Sequence, residues 1–129
     1  MEKRRPESSI RNIERIILEH LRMNYSPRGV ELSSGIVINL ITPFASDLSN
    51  LIPSADYPII PEIIVTLARE ITFDIRKKDL KNIHRQGWGN ILRTGQTEID
   101  LLRQWVCAGN SIWVRITGQG LRYSDDLRK

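Results

Sequence analysis

The segment from Ile75 to Trp88 constrains the fold most, because its apolar residues are few and its charges many. At helical spacing Ile75, Leu80 and Ile83 gather on one side, whereas Lys77, Lys78, Lys81, Asn82 and Arg85 point elsewhere. A helix with one thin apolar stripe belongs at the surface of a domain, with its basic face open to a polyanion. Gly87 is a natural stop for it.

The remainder of the chain bounds that reading. Its 129 residues suit one domain with a single modest core. The formal charge of +4 permits binding to nucleic acid or acidic surfaces without requiring it. Between Arg69 and Arg93 seven basic residues face three acidic ones, so this region alone matches the excess of the whole chain. Cys107 is the single cysteine, which excludes an internal disulfide and fits a reducing compartment. The apolar runs at 36–41 and 59–67 are too short, or too broken by proline, to span a bilayer. A soluble cytoplasmic protein with no membrane partner is expected.

Residues 1–8 are charged, contain Pro6 and read as a flexible basic arm. Ser8 or Ser9 then caps a helix to about Met23, with Ile10, Ile13, Ile16, Ile17 and Leu21 facing the core. Residues 25–29 form a turn, and Val30 and Leu32 alternate with polar neighbours as a short extended piece. Residues 36–41 fit either a strand, from their β-branched content, or a buried helix capped by Ser34. Thr42 and Pro43 resemble an N-cap and first helical position for a short helix to Leu51.

Pro53, Pro58 and Pro61 impose a loop, and Pro61 opens a helix to about Glu70 that buries Ile63, Ile64, Leu67 and Ile71. The basic helix follows, over about Asp74–Gln86, and residues 90–92 fit a brief strand. A helix from Thr97 to Cys107 packs Ile99, Leu102, Trp105 and Val106 and stops at Gly109, leaving Cys107 in or just under the core. Residues 111–117 alternate as a strand, 117–120 form a turn, Leu121–Tyr123 begin a last helical turn, and 124–129 are a charged tail. The domain proper is therefore 9–123.

Three stretches together resemble a winged helix-turn-helix domain of the small prokaryotic or phage regulator type. Leu67–Ile71 is similar to the first helix of the pair, and Lys78–Trp88 to the end of a recognition helix. Ile116–Tyr123 is similar to a wing strand running into a final helix, with the pattern I-T-x-x-G. Residues 13–23 supply the opening helix. The resemblance implies a mainly α fold with a small β-hairpin (α+β), interrupted by an insertion around 30–60. A helix at 97–107, where a simple wing has only its tip, departs from that pattern. In a second register 97–106 is the recognition helix, which leaves too few residues for a two-stranded wing.

The resemblance further implies that the protein binds double-stranded DNA as a transcriptional or replication regulator, reading the major groove with its helix and resting the wing on the backbone. Arg76, Lys77, Lys78, Lys81, Asn82 and Arg85 take the helix role, and Arg93 and Arg115 the wing role. Lysine suits phosphate as a point charge, arginine can grip phosphate or guanine with two N–H groups, and Asn82 can pair with an adenine edge. A homodimer is expected, through residues 10–23 or 42–60. A rival reading makes the domain an adaptor that docks a protein partner through residues 52–64, where Tyr57 to Pro61 are apolar.

Other constellations carry less. His20 and His84 have no cysteine or carboxylate at ligand spacing, so neither a metal nor a cofactor is expected. A nuclease built on His84 and Arg85 beside Lys81 lacks a second acid or base. Gly118 to Gly120 lack the lysine of a phosphate loop, and no enzyme signature survives. Trp88, Trp105 and Trp113 read as packing residues, although exposure of Trp113 on its strand would mark a partner surface.

Overall fold

The computed structural model describes residues 6–44, 51–79 and 96–128. Within them lie helices α1 (Pro6–Met23), α2 (Ser34–Phe44), α3 (Ile60–Arg69), α4 (Gln96–Cys107) and α5 (Gly118–Leu127). Strands β1 (Val30–Leu32), β2 (Phe73–Ile75) and β3 (Ile112–Ile116) form an antiparallel sheet in the order β1-β3-β2. A 3-10 segment, Ser54–Ile59, leads into α3. The chain is thus mainly helical with a small antiparallel sheet, in line with the expected α+β class. None of the described helices is long and apolar enough to cross a membrane.

Helix α1 is the central pillar, packed against α2, α3, α5 and β3. Its Ile13, Ile17, Leu18 and Leu21 are completely buried. Full burial of each such side chain is worth about 1.5–3 kcal/mol. Ile10 and Ile16, expected in the same stripe, sit at its flanks, and Leu18 takes their place. The helix starts at Pro6 and not at Ser8 or Ser9, since proline is compatible with a first helical turn. Residues 1–5 lie outside the described residues.

The 36–41 ambiguity resolves as helix. Ser33, one residue before the expected cap, accepts the N–H of Ile36 on its Oγ at 3.2 Å. Thr42 and Pro43 do not begin a new helix but complete α2. Thr42 Oγ1 turns back to donate to the Ile38 carbonyl at 3.1 Å.

Helix α3 buries Ile60, Ile63, Ile64, Val65, Leu67 and Ala68, as proline-initiated amphipathicity suggested. Ile71 is a correction: it is 62% exposed, beyond the helix, and adopts a left-handed conformation with φ 59. The expected helix over 74–86 is corrected at its start, because Phe73–Ile75 pair with Ile116–Val114 as β2. Phe73 and Ile75 face inward and Asp74 outward, an alternation that suits a pleat and satisfies the strand preference of aromatic and β-branched residues. Residues 77–79 are helical; 80–88 lie outside the described residues, as does the expected strand at 90–92.

Cys107 is exposed and not in the core. At the C-terminus the expected turn and charged tail are one helix, α5, which buries Gly120, Ser124 and Leu127. Thr117 is its N-cap, accepting the Gly120 N–H on Oγ1 at 3.0 Å. The I-T-x-x-G pattern acquires a physical reason: a Cβ on Gly120 would lie 2.1 Å from the Thr72 carbonyl oxygen. Only glycine lets the first turn of α5 sit on the α3–β2 connection.

Candidate nucleic-acid interface

The sheet has an inner and an outer face. Val30, Leu32, Ile112, Val114, Phe73 and Ile75 are buried, which leaves Glu31, Trp113, Arg115 and Asp74 on the outer side. Register sets Glu31 opposite Trp113 and Asp74 opposite Arg115. Trp113 is half-buried and Arg115 exposed.

Two connections wall this face into a groove. On one side the turn before β1 closes through the Gly29 N–H to the Ser26 carbonyl at 2.9 Å. Gly29 holds φ 96 and leaves room for a Cβ only 3.3 Å from the Val114 carbonyl, so it sets the turn against β3 and carries Arg28 to the rim. On the other side, Arg76 extends the strand pairing by donating its N–H to the Trp113 carbonyl at 2.8 Å. Asp79, although ionisable, is only 6% exposed. Its Oδ2 accepts the Trp113 N–H at 3.0 Å and Arg76 Nε at 3.3 Å. Both main-chain groups of Trp113 are therefore satisfied by the segment that follows β2.

The resulting groove, about 670 Å³, is lined by Pro27, Arg28, Gly29, Asp74, Ile75, Arg76, Lys77, Trp113 and Arg115. Four cations surround it against one lining carboxylate, Asp74. The Arg76 guanidinium lies 5.0 Å above the Trp113 ring centre. Among the described residues no ion pair engages Arg28, Lys77, Lys78 or Arg115.

Of the residues expected to bind DNA, Arg76, Lys77 and Arg115 come together here, and Lys78 is exposed outside the lining. Arg76 is not a free helical cation as expected: Asp79 holds its Nε, and Trp113 lies under its face. Lys81, Asn82, Arg85 and Arg93 lie outside the described residues, as does His84. Sequence reasoning missed Arg28. Its only signal is the tight Ser26–Gly29 turn, which reveals a chain reversal but not the strand it packs against. Trp113 is half-buried beneath Arg76, between the full packing expected of it and the free exposure that would mark a partner surface.

In the 52–64 stretch Ile52, Ile60, Ile63 and Ile64 are buried and Tyr57 and Ile59 pack against the core, while Pro53 and Pro58 are exposed. Between α1 and α5, Tyr123 donates to buried Glu14 at 3.2 Å. Burial raises the Glu14 carboxyl above its ordinary range, opposed by the Tyr123 hydrogen bond and Arg11 and reinforced by Glu70. Burial also pushes the Tyr123 phenol up to about 12, helped by Glu14. Among the described residues no His, Cys, Asp and Glu cluster could hold a metal ion.

Comparison with protein-family models, with curated proteins and with solved structures found no match.

Proposed function

We propose that this protein binds double-stranded DNA through the cationic groove on the outer face of its sheet, in a regulatory role and in a winged-helix arrangement. The observation that carries the reading is the convergence of Arg28, Arg76, Lys77 and Arg115 around one groove floored by Trp113. These residues come from the turn before β1, the segment that follows β2, and β3, so the cluster is a product of the fold and not of one charged run.

In this reading the winged-helix register is moved relative to the one drawn from the sequence. Helix α1 takes the opening position, α2 and α3 form the helix pair, and β2 and β3 form the wing, with β3 running through Thr117 into α5. This register differs from one centred on residues 78–88. It also changes how DNA would be held. The outward residues of α3 are Glu62, Thr66 and Arg69, and α4 packs on it, with Arg103 paired to Glu62. That helix offers little to base edges. Contacts would instead be made to phosphate by the groove, which positions a duplex without reading much sequence.

Phosphate contact makes a quantitative demand. Four cations engaged on a duplex give a slope of log affinity against log salt of at most about −3.6. Fluorescence anisotropy with a random 20-base-pair duplex, titrated over a range of salt concentrations, measures it. Paired reversal, Lys77→Glu with Arg115→Glu, is expected to lower affinity at least about hundredfold at low salt. Unchanged binding by a folded double variant would discard the groove as the site.

A further inference from the structure

Arg76 differs from the other cations of the groove in being fixed. Its Nε is held by a carboxylate that is itself buried, and one face of its guanidinium is set over Trp113. A guanidinium has five N–H donors in a planar fork, and Nε carries only one of them. No described residue takes Nη1 or Nη2, and the side chain is 39% exposed at the groove. The terminal edge is therefore presented outward in a set orientation.

The supporting carboxylate is positioned with equal care. Asp79 accepts from the Trp113 main chain as well as from Arg76, so its place is set by β3. Lys77 and Arg28 line the same groove, and Arg115 follows Trp113 by two residues on the same outer face. One pre-oriented fork with exposed cations beside it, unpaired among the described residues, suits a tetrahedral oxyanion: the fork fixes the phosphate and the neighbouring cations balance the adjacent charge.

Building on the DNA-binding reading, we propose that the groove centres on one phosphate subsite, formed by the Nη edge of Arg76. Asp79 is its positioning residue, and the ligand is a backbone phosphodiester of a nucleic-acid strand. Asp79 touches no ligand; it acts by holding Arg76 flat and by fixing the main chain of Trp113. The arrangement makes a counterintuitive demand. Removing a negative charge beside a cationic groove ought to tighten binding to a polyanion by simple charge accounting. If Asp79 positions Arg76, its loss weakens binding instead.

The test uses the full chain with a 20-base-pair duplex, a 20-nucleotide single strand and a free nucleoside triphosphate as competitor, at low salt. Arg76→Lys keeps the charge and loses the fork, and is expected to weaken duplex binding about tenfold. Asp79→Asn is expected to weaken it about fivefold, with a thermal melt showing the variant folded. Arg122→Ala on α5, a cation away from the groove, should bind as the wild type does. Full affinity in Arg76→Lys, or tighter binding by folded Asp79→Asn, overturns the subsite. If Asp79→Asn does not fold, Arg76→Lys decides alone. A free triphosphate that competes mole for mole as well as the strand overturns the assignment to a strand phosphodiester. Wild-type protein that binds none of the three would instead overturn the DNA-binding reading itself, so the two failures are distinguishable.

Discussion

Helices α3 and α4 end in the same way and on different residues. After α3, the N–H of Ile71 bonds to the Ala68 carbonyl and that of Thr72 to the Leu67 carbonyl, each at 3.1 Å. After α4, Gly109 bonds to Val106 at 3.0 Å and Asn110 to Trp105 at 3.2 Å. Both patterns need a left-handed residue at the first position past the cap. Gly109 supplies it without steric conflict at φ 88, whereas Ile71 does so at φ 59 with a branched side chain. That conformation costs a residue with a Cβ about 1–2 kcal/mol.

The difference lies in what surrounds each end. The α4 end is open: a Cβ on Gly109 would meet nothing within 4 Å. The α3 end is tied from several directions. Thr72 Oγ1 donates to the Leu67 carbonyl at 2.8 Å, and Thr117 Oγ1 donates to the Ile71 carbonyl at 2.6 Å. The Thr117 N–H adds a bond to the Thr72 carbonyl at 3.0 Å. A local rule, glycine at the helix end, holds where nothing else fixes the chain and gives way where tertiary contacts over-determine it.

Breaking the knot at the α3 end should have the largest effect. Gly120→Ala drives a methyl into the Thr72 carbonyl, and a loss of about 3 kcal/mol in urea unfolding is expected. A loss below about 0.5 kcal/mol would mean that the close approach of α5 is not needed. Exchanging the two left-handed residues sharpens the comparison more gently. Ile71→Gly should stabilise by about 0.5–1 kcal/mol, the relief of the left-handed conformation less the extra chain entropy of glycine, and Gly109→Ala should destabilise by about 1 kcal/mol. Changes of the same sign in both melts would refute the assignment of strain to Ile71.

The smallest effect is a dependence on pH. Glu70, the cap residue of α3, adds to the burial that raises Glu14. A carboxyl raised in the folded state stabilises the fold when protonated, fully below its unfolded value of about 4.3, and that stabilisation is lost as pH rises through the folded value. Glu14→Gln should therefore be more stable than wild type at pH 7, with the advantage shrinking toward pH 4. An advantage that grows on acidification would reverse the sign and remove the argument.

Much of the helical framework was legible because it depends on neighbours in sequence. Proline at 61, the apolar spacing of 13, 17 and 21, and the glycine at 109 each act within a turn or two of themselves. The site was legible only in part. Arg76, Lys77 and Arg115 stood out as cations, but Arg28 did not, because its place on the rim depends on a turn packing against β3. Helical periodicity also misassigned Asp74 and Ile75, since the pairing that makes them a strand is with residues about forty positions away.

The chain on its own settled that α1, α3 and α4 would be amphipathic helices, because a 3.6-residue apolar repeat has one low-energy solution when a core is available. It also settled that a surplus of cations would follow α3. Only the assembled fold decided that Phe73–Ile75 join β3, that Asp79 turns inward to grip Arg76 and Trp113, and that Ile71 remains left-handed. Each of those outcomes rests on hydrogen bonds between segments distant in sequence, whose geometry exists only once the sheet and α5 are in place.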